Sequence, residues 1–164
     1  MKNMKYVFSI AIFTLILSFA SYAQKAEEKL EKPAAKFDAE LAKKVGADKM
    51  GMRKYVLAIL KTGPKDTEFT GDARKALFKG HFENMNRLAA EGKLAVAGPF
   101  NDPEKKYRGL FILAVDTVEA AKALAETDPT VKAGVLVVEY VPWYGSASLM
   151  LSNEFHEKVA EKNF

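Results

Sequence analysis

Leu94-Ala95-Val96-Ala97-Gly98-Pro99, the polar loop from Phe100 to Arg108, and Leu110-Phe111-Ile112-Leu113-Ala114-Val115 form the stretch on which the fold turns. Two short apolar runs of strand formers, separated by a loop containing Asn, Asp and Pro, predict an antiparallel hairpin with a long connection. Upstream, Tyr55-Val56-Leu57-Ala58-Ile59-Leu60 predicts a strand closed by Thr62-Gly63-Pro64. A polar loop leads to Gly71, and Asp72 is expected to cap a helix that Gly92 stops. Leu77, Phe78, His81, Phe82, Met85, Leu88 and Ala89 fall on one face of that helix. Downstream, Asp116-Thr117-Val118-Glu119 has capping-box spacing and opens an Ala-rich helix to Thr127, which ends because the residue before Pro129 is pushed out of helical geometry. Val135 to Val141 alternates as a last strand with Glu139 outward. The order β-α-β-β-α-β predicts an α+β, ferredoxin-like βαββαβ fold, a four-stranded antiparallel sheet with two helices on one face. Leu110 to Leu113 is apolar on both sides, so the other sheet face is left bare. A second copy of the sheet would cover it, which predicts a homodimer closing an α+β barrel.

The rest of the chain is read from this core. With 164 residues there is room for about one domain, and the absence of Cys excludes disulfide scaffolds, Cys-ligated zinc, iron–sulfur clusters and thiol nucleophiles. Lys2 and Lys5 precede an apolar run from Tyr6 to Ala20, which Ser21-Tyr22-Ala23 follows with small residues at the cleavage positions. The run is short for a spanning helix and gives way to polar residues, so 1–23 predicts a secretory signal cleaved after Ala23, leaving a periplasmic or secreted protein without stable membrane insertion. Loss of Lys2 and Lys5 reduces the formal charge from +4 to +2, too small a surplus for an electrostatic nucleic-acid binder. Residues 24–36, mixed Lys, Glu and Ala, predict a tether. Phe37, Leu41 and Val45 recur at helical spacing, so 37–51 is expected to carry a short amphipathic helix. The domain proper is expected at 52–145, with Trp143 and Tyr144 after the last strand, and a helical C-terminal extension at 146–164.

Chemistry centres on few residues. Stepping around the helix from Leu77, His81 lies at about 40°, between Leu88 and Met85, and so on the buried face. A histidine there is either a core residue bonded to a neighbouring carbonyl or a group poised for proton transfer. Asp128 follows the second helix, where the helix dipole disfavours an anion; Asp128-Pro129 is also an N-cap with Pro at the first helical position, and one oxygen can cap while the other accepts from an imidazole. Gly98 and Pro99 end their strand and leave room for a ligand. Lys61 and Arg108, at strand ends, are cations able to hold an anionic substrate. No Ser or Cys nucleophile, metal cluster, calcium loop or nucleotide-binding loop is recognisable, so no cofactor or metal is expected.

Phe78-Lys79-Gly80-His81-Phe82-Glu83-Asn84-Met85, Gly92-Lys93-Leu94-Ala95-Val96-Ala97-Gly98-Pro99-Phe100, Glu119-Ala120-Ala121 and Asp128-Pro129-Thr130-Val131-Lys132-Ala133-Gly134 resemble the YciI-like (YCII-related) family of small dimeric α+β-barrel proteins. The resemblance spans roughly 52–144. It implies that His81 and Asp128 form the active dyad, and it implies proton-moving chemistry on small ring compounds, since the family includes a dehydrochlorinase and similar barrels host muconolactone isomerases. Two functions from different classes follow. One is an exported acid–base enzyme of lyase or isomerase type, acting on a small carbonyl or cyclic compound with His81 as base and Asp128 orienting it. The other is a non-catalytic periplasmic small-molecule-binding or accessory dimer.

Overall fold

β1 (Met52–Thr62) is the strand around which the others assemble. The computed structural model describes residues 36–161; the expected export signal and, apart from Lys36, the tether lie outside them. Along β1, Val56, Ala58 and Leu60 are buried toward one sheet face while Tyr55, Leu57 and Ile59 point to the other, as the two-residue period of a strand requires. β1 is central because both of its neighbours are apolar partners: β3 (Tyr107–Leu113) pairs Leu57 with Ile112 and Ala58 with Phe111, and β4 (Leu136–Ser146) pairs the same residues with Val141 and Tyr140. β2 (Leu94–Pro99) adds to the outside of β3. The sheet order is β2-β3-β1-β4 with every pairing antiparallel, which is the α+β, ferredoxin-like topology.

Before β1 comes a short helix, α1 (Ala39–Lys44). It is shorter than the 37–51 stripe predicts: Phe37 lies ahead of the N-cap Asp38 and is exposed, Leu41 is partly exposed, and Val45 is buried. The helices that cover the sheet are α2 (Gly71–Ala90), α3 (Val118–Ala125) and the one-turn α4 (Pro129–Lys132). α2 is not capped by Asp72. The chain enters it through Thr70 and a left-handed Gly71, so Asp72 is already in the first turn, exposed and paired with Lys75. Its end is a Schellman turn, with Lys93 N–H on Leu88 O and Gly92 N–H on Ala89 O. For α3 the cap is Thr117, whose Oγ1 accepts from Ala120 N–H at 3.2 Å, instead of Asp116.

Val56, Ala58, Leu60, Phe111 and Leu113 from the sheet, with Leu88 of α2 and Ala121 of α3, form the main core between sheet and helices. The opposite face is less bare than the sequence implies. The 3₁₀ turn Ala147–Leu151 folds Leu149 and Met150 onto Tyr55, Ala95, Ile112 and Ala114, so one end of that face has a cover from the same chain. Toward the other end Leu57, Ile59, Val96 and Leu110 are half-buried, and Val137 and Val141 are each 38% exposed. The last strand is also longer than its alternation predicts. Pairing with β1 runs from Thr62–Leu136 to Met52–Ser146, which takes Trp143 and Tyr144 into β4, and the Trp143 ring packs on Tyr55. α5 (Ser152–Val159) then lies along β2, where Asn153 Nδ2 donates to Leu94 O, and a Lys44–Glu154 ion pair joins it to α1. Among the described residues no helix is long and apolar enough to cross a membrane.

One backbone approach holds the sheet end beneath the helices. Gly63 donates to Val135 O, and a Cβ at Gly63 would lie 2.2 Å from Gly134 O. Gly63→Ala is therefore expected to destabilise the fold by about 3 kcal/mol or more, at or above the usual overpacking range, as read by urea unfolding.

Candidate functional site

Gly80, in the middle of a 20-residue helix, costs roughly 1 kcal/mol relative to alanine and signals a close approach. A Cβ there would meet Pro129 Cγ at 2.8 Å. The missing side chain lets α2 settle against α4, and the next residue, His81, meets Asp128. His81 Nδ1 lies 2.5 Å from Asp128 Oδ2, with the histidine side chain 9% exposed and the aspartate fully buried. The other carboxylate oxygen caps α4, accepting from Thr130 N–H at 2.8 Å and Thr130 Oγ1–H at 2.6 Å. The Asp-Pro pair thus sets up a short helix whose cap is at the same time the partner of the histidine.

Around the ring stand three phenylalanines. Phe111 of β3 stacks on the imidazole at 5.7 Å between centroids, while Phe78 and Phe82, from the same helix, contact it edge-on at 5.8 and 5.4 Å. The electrostatics of Asp128 set two effects against each other. Burial pushes its pKa up, but the hydrogen bonds from His81 and Thr130 and the charge of the imidazole outweigh it, so the carboxyl is held below its ordinary value of 3.8. When the imidazole is neutral, donation from Nδ1–H to an ionised Asp128 selects the tautomer whose free lone pair is on Nε2. Nε2 has no hydrogen-bond partner among the described residues and is not among their sealed, unsatisfied atoms, which are Arg53 Nε and Asn84 Nδ2. Asn84 lies one turn beyond His81 on α2, its Oδ1 taken by Arg87 and Thr127.

The other residues that the sequence singles out are elsewhere. Lys61 projects from the sheet face opposite the helices and is ion-paired with Glu139 at 3.0 Å. Gly98 and Pro99 pair with Leu110 and Gly109 at the end of the β2–β3 ladder, and a Cβ on Gly98 would meet nothing within 4 Å. The imidazole contacts Asp128, Thr130 and the three phenylalanines. Arg108 lines a cleft of about 310 Å³ at the start of β3 together with Arg74, Lys105, Phe100 and Tyr107. That cleft does not include His81 or Asp128. Sequence reasoning missed the phenylalanine box, Thr130 and the role of Gly80. Phe78 and Phe82 were legible as helical neighbours of His81, and Gly80 as a mid-helix glycine, but Phe111 comes from a strand whose pairing only the fold supplies. Among the described residues no group of three or more His, Asp or Glu is arranged to hold a metal ion.

Comparison with known proteins places the chain in a family. The model of the YCII-related domain matches residues 54–144, more than half of the chain. The uncharacterized protein YjpA of Bacillus subtilis (strain 168) is 33% identical over 64 residues, which are 39% of this chain and 72% of YjpA. Among solved structures, 5-chloro-2-hydroxyhydroquinone dehydrochlorinase (TftG) from Burkholderia phenoliruptrix, in complex with 2,5-dihydroxybenzoquinone, is similar with a TM-score of 0.39 and 20% identity. That similarity covers 54% of this chain and 90% of the other.

The lowered pKa of Asp128 fixes a sign. A folded-state value below 3.8 contributes stability that is fully present above about pH 3.8 and is lost as pH falls through the folded-state value. Asp128→Asn cannot titrate. The stability advantage of the native protein over Asp128→Asn, measured by urea unfolding, is therefore expected to shrink as pH falls below about 3.8.

Proposed function

The chain belongs to the YCII-related domain family, and on that premise we propose that it is an exported acid–base enzyme of lyase or isomerase type, acting on a small carbonyl or cyclic compound. The observation that carries this reading is the 2.5 Å contact of His81 Nδ1 with a buried, ionised Asp128, which leaves Nε2 as the ring's free nitrogen. In this mechanism Nε2 takes a proton from carbon next to a carbonyl, and Asp128 holds Nδ1–H in place and stabilises the imidazolium that forms. The electron pair released from the C–H bond moves into the enolate; it then takes the proton back from the imidazolium at a different carbon, which is isomerisation, or expels a leaving group as an anion while Nε2 keeps the proton, which is elimination. Phe78, Phe82 and Phe111 keep water from the ring, which strengthens the Asp128 interaction in the charged state.

A second reading is favoured by the burial of the pair and by the position of the cleft. If His81 and Asp128 only tie α2 to α4, the protein is a non-catalytic binding or accessory dimer. The two readings separate on one experiment, ¹H NMR in D₂O with a panel of small cyclic ketones, enol-lactones and halogenated hydroquinones. Deuterium exchange or elimination is expected with at least one compound, falling about 10²–10⁴-fold in His81→Ala and less in Asp128→Asn. Equal behaviour of native protein and His81→Ala, with either substitution lowering stability by about 1–3 kcal/mol, supports the structural tie instead.

Assembly and export complete the proposal. The half-open apolar sheet face, with Leu57, Ile59 and Leu110 beside the exposed Val137 and Val141, supports a homodimer in which two sheets face each other beyond the reach of Leu149 and Met150. The apolar run 6–20 and its small-residue site support cleavage after Ala23. Protein recovered from the periplasm or medium is expected to begin at Gln24 and to scatter light as a dimer at micromolar concentration; a chain beginning at Met1, or a monomer, overturns the corresponding part.

A further inference from the structure

We propose that the cleft at the start of β3 is a second binding site, separate from the histidine and independent of its role, and that it takes a small aromatic carboxylate. About 310 Å³ lies at the small end of the range of roughly 300–1,000 Å³ typical of small-molecule sites. Its walls combine two chemistries. Phe100 and Tyr107 pack edge-to-face at 6.2 Å between centroids and form an apolar, ring-shaped side. Arg74, Arg108 and Lys105 form the other side together with the carboxylates of Asp66 and Asp102, three cations against two anions.

These cations are not equally engaged. Arg74 is committed: its guanidinium donates to Asp66 O at 2.9 Å and to Asp66 Oδ1 at 2.8 Å, and it lies over the Phe78 ring. Arg108 is held loosely. Nη1 makes contacts of 3.4 Å to both Thr62 Oγ1 and Asp66 Oδ1, and its remaining donors have no partner among the described residues. One Asp66 carboxylate thus faces two guanidiniums, and Arg108 retains the fork that recognises a carboxylate in bidentate fashion.

Lys105 supplies a further charge. Its φ of +55° places it in the left-handed region, which a lysine rarely adopts. Asp102 holds it there: Oδ1 accepts from Glu104 N–H, Oδ2 accepts from Tyr107 N–H, and Lys105 N–H itself closes a turn on Asp102 O. Lys105 borders the cleft, and its Nζ has no ion-pair partner among the described residues. Strained backbone that presents an unpaired cation beside an unsaturated arginine and two rings is the arrangement that a planar anion satisfies at once. A phosphate would use the cations and leave the rings idle. The cleft and the histidine also stay apart: Arg74 and His81 are seven residues apart on α2, about 10 Å along its axis, with Phe78 between them.

Benzoate is the probe. Titrated into ¹⁵N-labelled protein, it is expected to bind saturably, with Kd about 1 mM or tighter, shifting the amides of Lys105 and Tyr107. Arg108→Ala is expected to weaken binding about tenfold or more. Lys105→Asn, which keeps a residue tolerant of positive φ and disturbs no bond of the fold, is expected to weaken it about threefold or more, so the result does not depend on the folding of Arg108→Ala. His81→Ala is expected to leave benzoate binding unchanged, whatever it does to turnover. The proposal is overturned by shifts centred on His81, by non-saturable shifts, by unchanged affinity in both cleft variants, or by inorganic phosphate competing as well as benzoate at equal ionic strength.

Discussion

A carboxylate that is fully out of water must have its oxygens satisfied, and Asp128 meets that demand with groups from two separated parts of the chain. Thr130 takes one oxygen and His81 the other. Much of the helical layer follows from this contact. α2 has to approach α4 closely enough for the imidazole to arrive, which Gly80 permits at Pro129, and α4 has to be a single turn whose left-handed Gly134 returns the chain to β4. An unpaired ion in that position would cost several kcal/mol, so the pairing also selects against looser packings of the two helices.

The sheet imposes a different constraint. β1 and β3 are apolar on both sides, and α2, α3 and α4 cover only one of them. The chain answers in part by turning after β4 and laying Leu149 and Met150 on the far end of the other face, with Asn153 tying α5 to the edge of β2. What remains open is a smaller strip that includes Val137 and Val141. The C-terminal segment therefore limits the surface available to a second copy of the sheet and would shape any interface formed there.

Polar chemistry in the protein is divided along α2. At its N-terminal end Arg74 meets Asp66, Arg108 and the cleft; two turns later His81 meets Asp128 among phenylalanines. Water is the main difference between these two places. In the cleft, solvent screens the cations, whereas at His81 the low exposure strengthens the hydrogen bond to Asp128. Phe78 separates them, lying under Arg74 on one side and edge-on to His81 on the other.

Periodicity and punctuation in the sequence determined the succession of strands and helices, the α+β class, and the placement of His81 on a buried helical face, because each depends on residues close together in the chain. Asp128 was legible as the cap of a Pro-started turn for the same reason. Elsewhere local signals misled: Asp72 and Asp116 have the composition of caps, but a left-handed Gly71 and the hydroxyl of Thr117 moved the helix starts. The bulge between Leu60 and Lys61, the full length of β4, the stacking of Phe111 on His81 and the gathering of Arg74, Arg108 and Lys105 around one cleft were decided only by tertiary structure. Each joins residues that are distant in sequence through strand register or helix packing, and a shift of one residue in a strand's register turns its side chains to the opposite face.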